Sequence, residues 1–230
     1  MKVERIKGDG TRPPAPFERA ANAINEMLAV KYRKGDGTND YASIYNALGA
    51  FAGFGIQMAI RETLVNPGKI PEAKAFVVVK TKDGKNYYFG DLLNGGLFGS
   101  PNSKISVWSL IGAAAHTAGA KQLPDIREMA SHAAKVLGTK DFGIPRVQKE
   151  FQPRETPYDV LRSDWKAMRE LLVRYCVEPL FWGWTFAQAA QYLILRDKDA
   201  FNPAIAATIA MEAAISMSKI DPRDLSESTA

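Results

Sequence analysis

The segment richest in residues able to do chemistry is Gly90-Asp91-Leu92-Leu93-Asn94-Gly95-Gly96-Leu97-Phe98-Gly99-Ser100-Pro101-Asn102-Ser103-Lys104. It lies between a predicted hairpin and a predicted helix start. Glycines let backbone N–H groups close on an anion, and a helix start adds a positive dipole end. In that reading Gly95, Gly96, Gly99 and Ser100 shape a phosphate or carboxylate cradle. Asn102, Ser103 and Lys104 supplement it, and Asp91 brings a carboxylate to the strand end. A nucleotide P-loop needs Gly directly before Lys and Ser or Thr directly after it; Asn102-Ser103-Lys104-Ile105 breaks the pattern. The plainer account, a structural loop that caps the next helix with Asn102 or Ser103, uses the same residue types.

Two histidines are present, His116 and His132. His116 shares a narrow polar strip with Ser106, Ser109 and Thr117 on one predicted helix. His132 follows Glu128 by one turn, a spacing at which side chains meet. A zinc site needs further ligands at suitable spacing, and none occurs, so no metal site and no cofactor are expected. Phe181-Trp182-Gly183-Trp184 is dense in aromatics. Trp182 and Trp184 could stack a ligand ring or anchor a partner, or simply plug the joint between two helices. Glu212 stands alone in the apolar run 203–218, and helical spacing groups it with Thr208, Ser216 and Lys219 in a polar stripe expected to face solvent. No nucleophile elbow, Cys–His pairing, close carboxylate dyad or dinucleotide fingerprint appears, which leaves no reaction to name.

The elements that must position these residues are mostly helices. The pattern predicts about seven of them around a small β-hairpin at 75–89: a mainly α fold. Phe17, Ala20, Ala21, Ile24, Met27 and Leu28 mark an apolar face from Pro16 onward, with KGDGT (34–38) as terminator. A second helix starts at Asn39 or Asp40 and runs to Val65. Its Gly49, Gly53 and Gly55 each cost about 1 kcal/mol relative to Ala, which calls for a close-packed neighbour or a kink in compensation. Asp83-Gly84 between two β-branched and aromatic runs predicts a type I′ turn, and 142–147 offers a short third strand. Further helices are expected from 102 or 103 to Gly119, from Pro124 to Gly138, from Thr156 to about Tyr175, from Thr185 to Leu195, and from Asn202 to Asp221. Residues 1–15 read as a flexible basic arm, 16–222 as one domain, and 223–230 as a disordered tail.

Composition bounds the function classes. The chain has 230 residues, 46% hydrophobic and 24% charged, as a globular protein has. The single cysteine, Cys176, excludes an intrachain disulfide and reads as a small core hydrophobe within LLVRYCV. The apolar stretch 47–60 is shorter than the about 20 residues a membrane helix requires, so it reads as buried core. With a charged, Gly- and Pro-broken start, the expectation is a cytoplasmic protein with no membrane partner. The net charge of +5 is uneven: 21 basic and 14 acidic residues through Glu150, then 9 and 11. These features favour a non-catalytic helical interaction protein that self-associates. One alternative is a small-molecule-binding protein or enzyme using 90–104. Another is weak nucleic-acid binding through Arg5, Lys7, Arg12, Lys31, Arg33 and Lys34, with Lys80, Lys82 and Lys85 on the hairpin.

Overall fold

A computed structural model describes residues 15–101, 103 and 105–225. Among these are nine α-helices and one two-stranded sheet. The arm residues 1–14 and the tail residues 226–230 lie outside the described residues. Pro222–Leu225, which straddles the expected boundary at 222, forms a 3-10 turn.

Two helices form the centre. α2 (Tyr41–Ile60) buries 18 of its 20 residues, and α9 (Pro203–Met217) buries 11 of 15. Both start at side-chain caps: Asp40, one of the two starts expected, accepts from the Ser43 N–H, and Asn202 accepts from the N–H groups of Ala204 and Ile205. Gly49 and Gly53 explain themselves at the crossing of the two helices. A Cβ on either would overlap the carbonyl oxygen of Ala210 or Ala214, one turn apart on α9. Gly55 makes the same allowance for Gly183, whose backbone would lie 2.9 Å from an added Cβ. Close packing, not a kink, is the compensation. Tyr41–Val65 is long and apolar enough to cross a membrane by length and composition, yet 94% of its apolar window is buried by the chain's own helices.

α8 (Trp182–Arg196) packs on α2, and α5 (Val107–Thr117) packs on α8 and α9. α1 (Pro16–Lys31) lies on α8, α6 (Ile126–Lys135) on α9, and α7 (Pro157–Arg174) on α2. Two short helices exceed the seven expected: α3 (Glu72–Ala75) and α4 (Asp91–Phe98). After Ile60 the α2 backbone continues as a wider π-helical turn, Arg61–Val65.

Other expectations need correction. α5 begins after Ser106, whose hydroxyl accepts from the Ser109 N–H, so neither Asn102 nor Ser103 is its cap. α8 begins three residues before Thr185, which lies inside the helix and donates to the Phe181 carbonyl. Cys176 is exposed and stands just beyond the end of α7. The supposed solvent stripe of α9 is largely internal. Glu212, Ser216 and Lys219 are all buried: α6 packs on α9, Arg146 meets Glu212, Gly143 lies beside Ser216, and the Phe89 ring lies against Lys219.

The hairpin is real. β1 (Val77–Lys80) pairs antiparallel with β2 (Asn86–Phe89) in the register Val77–Phe89 through Lys80–Asn86. Its turn is not type I′, since Gly84 has positive φ and Asp83 does not. The Gly84 N–H returns to Thr81 C=O and Thr81 N–H to Lys85 C=O, which is a type I turn closed by a left-handed glycine. Residues 142–147 form no third strand. β2 instead bridges to Ile220 through Tyr87, while Phe142 packs on the Tyr87 ring.

Candidate functional site

Among the described residues, those singled out in the sequence do not converge on one site, although the structure brings Trp184 to the Gly96 carbonyl. Asp91 through Phe98 form a helix, so the amides of Gly95 and Gly96 are not a cradle open to an anion. Gly96 serves packing: a Cβ there would overlap the Ile56 side chain on α2. Asp91 is exposed in the first turn of α4, and Gly99 ends that helix with φ of 97°. Ser100 and Ser103 bridge to each other, and the Ser103 hydroxyl donates to Ile105 C=O. Asn102 and Lys104 lie outside the described residues. His116 is exposed and His132 half-buried, and no cluster of metal-ligating side chains forms among the described residues.

The aromatic cluster fills the joint around α8. Trp182 is buried and donates to Val177 C=O at 3.1 Å, while half-buried Trp184 donates to Gly96 C=O at 3.3 Å. Of the basic residues proposed for nucleic acid, Lys31 is held by Asp164 at 2.6 Å and Glu155 at 3.1 Å. Arg5, Lys7 and Arg12 lie outside the described residues, and Arg33 and Lys34 are exposed.

An open groove of about 600 Å³ runs between Gly119–Gln122 and Lys198–Ala204, and none of the predicted site residues lines it. A cavity of about 10 Å³ beside Glu212 and His132 is room for about one water. Glu212 itself is satisfied. Its carboxylate accepts from the Arg146 backbone N–H and guanidinium, and Arg146 reaches on to Glu128 at 2.7 Å. This is a staple between α6 and α9.

What stands out is β1, a feature of the hairpin that periodicity did not reveal. Val77, Val78 and Val79 are 62, 48 and 40% exposed, whereas Tyr87 and Tyr88 on the partner strand are buried. The contrast follows from how the hairpin is seated. The Tyr88 N–H donates to Lys219 C=O at 2.7 Å, on the side of β2 away from β1. Arg61, on the π-helical turn, stacks its guanidinium 4.8 Å from the Phe76 ring and 4.4 Å from the Tyr88 ring, and donates to Glu72 at 2.7 Å. Buried Gln57 donates to both Ser218 C=O and Ile220 C=O at 3.0 Å, holding the segment that β2 leans on. Asn86 donates to Asp221. Burial opposes the ionised form of Asp221, but hydrogen bonds from Arg223 and Asn86 hold its carboxyl below the usual range. β2 is therefore anchored at its inner edge, and β1 is left as the rim.

The phase of the ladder decides which β1 groups face outward. Because the Tyr88 N–H leaves toward Lys219, Val78–Tyr88 is a non-hydrogen-bonded pair. The N–H and C=O of Val78, and of Lys80 two residues on, point to the outer edge. They have no backbone partner among the described residues. No family model matches this chain, and neither a curated protein nor a solved structure does.

Proposed function

We propose that the protein is a non-catalytic interaction module that docks an extended strand along the outer edge of β1. The observation that carries this reading is the run of three exposed valines on an edge whose outward amides have no partner among the described residues. Such an edge is a template for another strand: main-chain bonds supply affinity, and alternate side chains meet the two faces. Self-association of two β1 edges is one form of the same reading. α9 is apolar on almost every side, yet it lends no weight to self-association because α2, α5 and α6 cover it.

Amide hydrogen exchange tests the reading. The Val78 and Lys80 amides should exchange fast in dilute protein. They should become protected when a strand-forming peptide is added, or when protein concentration is raised. If both amides exchange at one unchanged rate with neutral, acidic and basic strand peptides and at every protein concentration, β1 is not a docking edge.

A further inference from the structure

We infer that the strand received by β1 comes from a partner whose apolar core is flanked by carboxylates: an acidic extended peptide segment rather than a second copy of this chain. The inference rests on the docking edge proposed above and adds the chemistry of its occupant. Lys74, Lys80, Lys82 and Lys85 surround the valines, and all four are exposed. None has an ion-pair partner among the described residues, whereas Glu72 beside them is taken by Arg61. The one acid in this stretch, Asp83, is hydrogen-bonded to the Thr81 hydroxyl, which holds its carboxyl below the usual range. The edge thus offers two apolar half-faces between positive ends, where Asp83 offsets only part of the charge of the four lysines.

Charge selects among occupants. A second copy would lay the same four lysines against these four, and like charges across a strand pair are unfavourable. The chain's own first fourteen residues carry four basic and two acidic side chains, again of the wrong sign. An acidic segment satisfies the outward amides of Val78 and Lys80, covers the valines and neutralises the flanking lysines together. A nucleic acid would use the lysines but leave the valines and the strand edge uncovered.

The full chain can be titrated with three labelled peptides sharing the core Thr-Val-Thr-Val-Thr and flanked by two Glu, two Ser or two Lys at each end. The acidic peptide should bind about tenfold tighter than the neutral one at about 50 mM salt, and the advantage should vanish near 500 mM. Val78→Pro removes an outward N–H without touching the inner ladder, and should weaken the acidic peptide at least about tenfold. Should that variant fail to fold, the double variant Lys80→Glu, Lys82→Glu carries the test, since it should transfer the preference to the basic peptide.

Equal affinity for acidic and neutral peptides would overturn the charge inference while leaving the docking edge intact. Absence of any peptide binding, with unprotected Val78 and Lys80 amides, would overturn the docking edge itself. A mass that doubles with concentration, is lost in Val78→Pro and is accompanied by no peptide binding would assign the edge to a second copy. An oligothymidylate that binds tighter than the acidic peptide, insensitive to Val78→Pro, would assign the lysines to nucleic acid.

Discussion

Gly53 on α2 lies so close to the carbonyl oxygen of Ala214 on α9 that no side chain fits between them, and Gly49 stands in the same relation to Ala210. Small residues four apart on both helices let the two backbones touch at the centre of the core. The free energy that glycine forfeits in a helix, about 1 kcal/mol, is returned by dispersion contacts across the crossing.

Gly53→Ala should therefore destabilise the protein by about 3 kcal/mol, because the added methyl meets backbone that cannot move aside as a rotamer would. Gly35→Ala is the control: an added Cβ there meets nothing within 4 Å and φ is not positive, so the change should be neutral or stabilise by about 0.5 kcal/mol. Urea midpoints at constant slope read both effects. A Gly53→Ala protein as stable as its parent would mean that the crossing is looser than described.

The sequence carried the first half of this argument and not the second. Three glycines in an apolar helix called for a close neighbour or a kink, but nothing local chose between them or named α9 as the neighbour. The caps Asp40, Asn202 and Thr156 were legible because a cap is chemistry within three residues. The loop at 90–104 misled for the converse reason: Gly95 and Gly96 are poor helix formers, and the Ile56 side chain on α2, packed against Gly96, is a distant partner that no local signal names. The polar stripe of α9 misled because Arg146, 66 residues away, supplies the partner that lets Glu212 be buried. The candidate site was hidden likewise. Valines in β1 read the same whether covered or bare, and only the seating of β2 on Lys219 and Ile220 decides that they are bare.

The Arg146–Glu212 pair gives a second prediction. Glu212 is 7% exposed, and removing the guanidinium leaves its charge with little beyond the Arg146 backbone N–H. Arg146→Met should cost about 2 kcal/mol, less than a fully buried pair would because Arg146 is partly solvated. Glu128→Ala, at the exposed end of the same network, should cost clearly less than Arg146→Met, because solvent screens that pair. A double-mutant cycle between Arg146→Met and Glu212→Gln should show coupling above about 1 kcal/mol, and additive losses would mean that the staple is ornamental.

Cys176 follows the last turn of α7 at φ of 56°, the only non-glycine residue with positive φ among those described. Its N–H bonds Val173 C=O and that of Val177 bonds Leu172 C=O, the double closure that glycine ordinarily serves. Cys176→Gly should stabilise the protein by about 1 kcal/mol, and Cys176→Ala should leave it nearly unchanged. The same exposure makes the thiol open to a chromogenic disulfide reagent in the folded protein, at a rate unaffected by sub-denaturing urea. A burst of reactivity only on unfolding would return the side chain to the core.

Lys219, at the end of α9, sets a pH dependence. Burial pushes its ammonium down to about 8 from an ordinary value of 10.5, and its nearest compensation is the Phe89 ring, 4.8 Å away. A base whose folded-state value is depressed binds fewer protons in the native than in the unfolded chain between those two limits. Stability contributed by this group therefore rises with pH from about 8 to about 10.5 and is at its poorest below 8. The full span corresponds to about 3 kcal/mol, an upper figure because the ring face returns part of the lost solvation. Lys219→Met keeps the length and the packing while removing the charge. It should be more stable than the parent at pH 7, and the difference should close as pH approaches 10.5. Denaturation of the two proteins side by side across that range isolates this group from the tyrosines, which titrate in both. A constant difference between them would show that Lys219 reaches solvent by another rotamer.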